Sequence, residues 1–151
     1  CTDLPTCQGQ WWPEGMDFQH GFDITQHVGP NYLGGQLTSD GRVAIHVSHR
    51  LGAVLVLGYL AILLGLLWRQ RAQSGLDRAI ALVGGALVLQ FCLGLTNVWL
   101  HIPLIVAVAH NAMGAGLLLS MVHLIWRHHQ LALPALSPAP HTTTINREVT
   151  A

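Results

Sequence analysis

The fold class this sequence predicts is an all-α integral membrane protein, and three observations predict it. Hydrophobic residues make up 51% of the 151 and charged residues only 9%, against about a quarter charged in a soluble domain. Three apolar runs, each free of acidic residues, are separated by short polar segments. Each run is long enough to cross a hydrocarbon layer ~30 Å thick at ~1.5 Å per helical residue. The formal net charge of zero, with seven scattered Arg and no Lys, argues against a nucleic-acid partner. Ten His against seven acids points instead to metal or haem ligation.

Residues 1–42 carry five acids and one Arg among Gly, Pro and aromatic residues, with no window able to span a bilayer, and read as an extracytoplasmic loop. Cys1 and Cys7 bracket Thr-Asp-Leu-Pro-Thr, a hairpin able to bring two Cα atoms within the ~4.4–6.8 Å of a disulfide. Such a bond places the loop outside the reducing cytosol; the alternative is two free or metal-binding thiols. Trp11 and Trp12 suit a headgroup region. His20 and His27 lie on a segment, Asp17 to Val28, where a helix would put them on one face, but the reading preferred for both is solvated surface histidines.

Thr38, Ser39 and Asp40 offer N-caps for a first span over 43–68, with the helix starting near Gly41. The linker 69–78 holds Arg69, Arg71 and Arg78 against Asp77, and short arginine-rich loops belong on the cytoplasmic side. Charge and cysteine arguments therefore give the same orientation. The second span, 79–100, carries Gly84, Gly85, Ala86 and Gly94 for close helix packing, and Gln90, Cys92, Thr96 and Asn97 as polar edges. Pro103 suits the first turn of the third span, 103–126. Residues 127–151 read as a cytoplasmic tail, Pro-, Ala- and Thr-rich and disordered from Gln130. The chain begins at Cys1 without an initiator Met and offers only three spans, so it is expected to be part of a longer protein.

His49 lies about six residues into the first span and His110 about seven into the third. Both spans start on the outer side, which puts the two imidazoles at one level, ~10 Å below the outer interface. Two facing histidines at matched depth in a helix bundle can clamp a haem iron. Ser48, Gly52 and Ala53 beside His49, and Ala107, Ala109, Ala112, Gly114 and Ala115 around His110, leave gaps for a flat macrocycle. Arg50 could meet a propionate or be solvated by water or lipid phosphate. His46, one turn before His49, competes for the ligand role. His101 falls about opposite His110 on a continuous helix, and His123 lies near the cytoplasmic end.

The loop Cys1-Thr-Asp-Leu-Pro-Thr-Cys7-Gln-Gly-Gln-Trp-Trp-Pro, the stretch His46-Val-Ser-His49-Arg50-Leu-Gly-Ala, Gly94-Leu-Thr-Asn97-Val, and Pro103-Leu-Ile-Val-Ala-Val-Ala-His110-Asn-Ala together resemble the haem A synthase family over about residues 1–127. The resemblance implies the C-terminal half of an eight-helix protein, from the loop before the sixth helix onward, with three of the four helices of that half. It implies His49 and His110 as axial ligands of a haem b and Cys1–Cys7 as a disulfide. It also implies an oxidoreductase that converts the C8 methyl of haem O to the formyl of haem A for terminal oxidases. The substrate site, with its glutamate, is implied to lie in the N-terminal half. No acid in the three spans here could replace that glutamate, so no catalytic residue is assigned in this chain.

The implied partners are haem O and membrane lipid, with haem O synthase and a second copy as further candidates. The implied location is a bacterial inner membrane rather than a mitochondrial one. Two other readings stay open: a b-type cytochrome module that passes electrons without porphyrin chemistry, and a proton-conducting or transport bundle in which the histidines titrate.

Overall fold

The structure is a computed structural model that describes residues 1, 3–25, 37–70 and 75–132. It contains one short helix, α1 (Phe18–Gly21), and three long ones, α2 (Ser39–Arg69), α3 (Asp77–Trp99) and α4 (Leu104–Ala132). The three long helices have the length and apolar composition to cross a membrane, and there is no strand among the described residues.

The helix bounds reflect local chemistry. The hydroxyl of Thr38 accepts from the Gly41 amide at 3.1 Å, capping α2 two residues ahead of the start expected near Gly41. Leu76 opens α3 without a side-chain cap. His101 and Ile102 take left-handed backbone angles, φ 58° and 61°, so the α3–α4 connection is a tight turn. Pro103 then accepts the first bond of α4, from the Ala107 amide at 3.0 Å. At its far end α4 runs on to Ala132, past the apolar span 103–126. The tail expected to be disordered from Gln130 is helical through Ala132; its remainder, and residues 71–74 of the linker, lie outside the described residues.

The segment Asp17 to Val28 does not form one helix over its described part. It is helical only over Phe18–Gly21, because Asp23 turns the chain by accepting from the Thr25 amide at 2.8 Å and the Thr25 hydroxyl at 2.6 Å. His20 is exposed, and His27 lies outside the described residues.

Two apolar clusters set the frame. At the loop-distal end Leu60 of α2, Ile80, Val83 and Leu87 of α3, and Leu117 and Leu124 of α4 are buried together. At the loop end Cys7 packs on Val43 and Val47 of α2, with Cys1 and Met16 against them. There α1 crosses α2 at a glycine contact. A Cβ on Gly21 would lie 2.9 Å from the Gly41 carbonyl oxygen, too close for any other residue without displacing the backbone. Much of the outward face of the spans is apolar, including Leu51, Val54, Leu55, Tyr59 and Ile62 on α2, while His49 on α2 and Asn111 and His123 on α4 are exposed as well.

Candidate functional site

The loop end of the bundle is where the polar groups converge. Cys1 and Cys7 form a disulfide, with Cα atoms 4.7 Å apart. Cys7 and Gln10 exchange backbone bonds of 2.9 and 3.1 Å, which closes the loop that follows. Asp3 is its hub: the carboxylate accepts from the Thr6 hydroxyl at 2.7 Å, the Gln8 amide at 2.9 Å and the Gly9 amide at 3.0 Å. These donors, the Gly9 amide foremost and then the Thr6 hydroxyl, favour the ionised form and hold the carboxyl well below the usual carboxylate range.

Arg50 fastens this loop to α2. Its guanidinium donates to the carbonyl oxygens of Thr6 and Asp3 at 2.8 Å each and of Cys1 at 3.3 Å. Three carbonyls on one fork suit arginine, whose planar donors are pre-arranged. The remaining Nε is buried with no hydrogen-bond partner.

One residue before Arg50, His49 faces His110 of α4. The ring centroids are 6.2 Å apart and the planes cross at 80°. Around His110 the surface of α3 is shaped to the ring. A Cβ on Gly94 would sit 3.2 Å from His110 Cε1, so the imidazole lies against bare backbone. Gln90 Nε2 is 3.3 Å from His110 Nε2, while His110 Nδ1, Gln90 Oε1 and Asn97 Oδ1 are buried without partners.

The structure thus brings His49 and His110 together and places Arg50 on the loop beside them. His46 is partly buried one turn nearer the loop. His101 is exposed in the α3–α4 turn, His123 stacks at 6.0 Å on Trp126 near the other end, and His20 pairs with Asp17 at 3.0 Å. Gln90 is the residue whose contact the sequence reading missed, and its position carried a signal. In an antiparallel helix hairpin, residues equidistant from the turn share a level, and Gln90 and His110 flank Leu100 symmetrically. Among the described residues no three His, Cys, Asp or Glu side chains gather to hold a bare metal ion.

Fold and site define a multi-pass helical membrane protein with a facing histidine pair beneath a disulfide-closed loop. Residues 1–122 match the model of the COX15-CtaA family, described as cytochrome oxidase assembly protein. Heme A synthase of Shewanella oneidensis is 37% identical over 122 residues, 81% of this chain and 36% of that protein, in its C-terminal half. No solved structure matches the chain. The chain belongs to the COX15-CtaA family and corresponds to the C-terminal part of a haem A synthase homologue. The aligned region spans little more than a third of the curated relative.

Proposed function

We propose that this chain is the haem b-binding C-terminal part of a haem A synthase, with His49 and His110 as the axial ligands. The observation that carries the reading is the imidazole pair, 6.2 Å between ring centroids, in a member of this family. The donor set fits the group. Two imidazoles on separate helices, near enough to face one another, would hold a haem between them. Haem iron has four porphyrin nitrogens and needs only two further ligands, so the want of a third protein ligand is no obstacle. The unpaired Nε of Arg50 is a buried donor of the kind a propionate satisfies.

A haem held by two imidazoles supplies one-electron transfer. The protein's part is to hold and shield it. His49 and His110 are carried on separate helices whose spacing is set by the apolar cluster at the loop-distal end. The loop closed by Cys1–Cys7 is tied by Arg50 to α2 one residue after His49, at the outer end of the helix that carries that ligand. In this reading residues 1–42 are extracytoplasmic, the arginine-rich linker and the tail are cytoplasmic, and the membrane is a bacterial inner membrane. The oxidation of haem O to haem A is carried by the remainder of the protein, with haem O synthase and further copies as candidate partners.

The test is conversion of haem O by membranes containing the full-length protein and its His49→Ala and His110→Ala forms. The expected result is haem A from the parent and little or none from either variant. A b-type signal with no conversion by the parent would favour the electron-transfer module instead.

A further inference from the structure

We propose that Gln90 is a positioning residue for His110, holding the haem-free imidazole in the tautomer with its proton on Nδ1 and its lone pair on Nε2. This rests on the haem reading above, because that tautomer is the one an Nε2 ligand to iron must adopt.

Gln90 Nε2 lies 3.3 Å from His110 Nε2. An amide nitrogen donates and has no lone pair to offer. Of the two neutral forms of histidine, only the one with a bare Nε2 answers it. The amide is held at that point by its neighbours: a Cβ on Gly114 would lie 3.4 Å from Gln90 Nε2, so α4 meets the side chain closely with backbone alone.

Gln90, Gly94 and Asn97 lie four and then three residues apart, on one face of α3. The imidazole edge rests on that face at Gly94, where a Cβ would be 3.2 Å from Cε1 and 3.7 Å from Nδ1. In the assigned tautomer His110 Nδ1 is a buried donor, and Gln90 Oε1 and Asn97 Oδ1 are buried acceptors, all three without partners. The amide oxygens of Gln90 and Asn97 lie on the same helix face as Gly94 and are acceptors of the kind an Nδ1–H requires. Histidines that ligate metals characteristically offer their second ring N–H to such an acceptor, which fixes the tautomer and the ring orientation. Gln90 therefore prepares the ligating nitrogen before a metal arrives and gives it up when one binds.

The test is 15N NMR of histidine-labelled full-length protein, made haem-free by expression under haem limitation. Spectra are recorded well above the ordinary histidine titration range, and His110 is assigned by subtraction against His110→Ala. The expected result is His110 protonated at Nδ1 and bare at Nε2 in the parent. In Gln90→Leu the Nε2–H form, intrinsically the more stable for histidine, rises several-fold. In Gln90→Glu a carboxylate accepts from Nε2–H and that form dominates. An Nε2–H tautomer in the parent overturns the proposal without any variant, and so does one unchanged tautomer in parent, Leu and Glu forms. The measurement is made without haem, so its failure is distinct from failure of the haem reading, which shows in the spectrum of the loaded protein.

Discussion

At the loop-distal end of the bundle Leu60, Ile80, Val83, Leu87, Leu117 and Leu124 interlock as buried apolar side chains. At the loop end the chain is held by directed contacts: a disulfide, the Asp3 hub, the arginine fork and the amide of Gln90. The first arrangement is indifferent to which apolar groups fill it provided the volume is kept. The second specifies individual atoms, and it leaves Arg50 Nε, Gln90 Oε1, Asn97 Oδ1 and His110 Nδ1 buried and unpaired. Unpaired buried groups oppose folding, so their concentration around the histidine pair marks the end of the molecule built for a ligand.

The comparison can be broken from either side. The largest effect on stability is expected at the loop-distal end, where Leu60 is 2% exposed. Leu60→Ala should cost about 2–5 kcal/mol in denaturation of the detergent-solubilised protein while leaving the position of the haem bands in place. A displaced haem spectrum would show that the two ends are not separable. At the loop end, Arg50→Ala removes the donors of three carbonyl contacts. It should loosen the loop by about 3 kcal/mol, seen as faster amide exchange and proteolysis in residues 1–25. Lysine at 50 should restore only part of this protection, since a single ammonium cannot fork across the same oxygens.

Gly94→Ala addresses the site without touching the apolar cluster. Its Cβ would lie 3.2 Å from His110 Cε1, so the ring must shift at a cost of about 1–3 kcal/mol. Haem titration should show a weaker complex while thermal stability of the haem-free protein changes less than in Leu60→Ala.

The smallest effect is a pH dependence of the loop. Asp3 titrates below its ordinary value of 3.8 in the folded loop. A depressed carboxyl contributes stability that is fully present above that ordinary value and is lost as pH falls through the folded one. The Gly9 amide should therefore stay protected through neutral and mildly acidic pH and lose protection only in strong acid, and Asp3→Asn should flatten that profile.

The three long helices were legible because a bilayer demands long apolar runs, and the runs 43–68, 79–100 and 103–126 stand out in composition alone. The Thr38 cap was legible from its side chain. The pairing in depth of His49 with His110 followed from counting residues inward from the same face. The attachment of Arg50 was not legible, because its acceptors are backbone carbonyls 44 to 49 residues away, and carbonyls carry no sequence signal. Gln90 was read as one polar edge among several; only the symmetry of the hairpin about Leu100 sets it apart. The helix weighed as an alternative for the segment from Asp17 stops at Gly21, ahead of the Asp23 turn, a short-range competitor that periodicity does not register.

The central claim is that His49 and His110 clamp one haem, and the reduced-minus-oxidised optical spectrum of the purified full-length protein tests it most directly, recorded beside His49→Ala and His110→Ala. The expected result is a low-spin b-type signal from the C-terminal part, abolished or converted to high spin by either substitution. A low-spin signal from that part that survives both substitutions would contradict it.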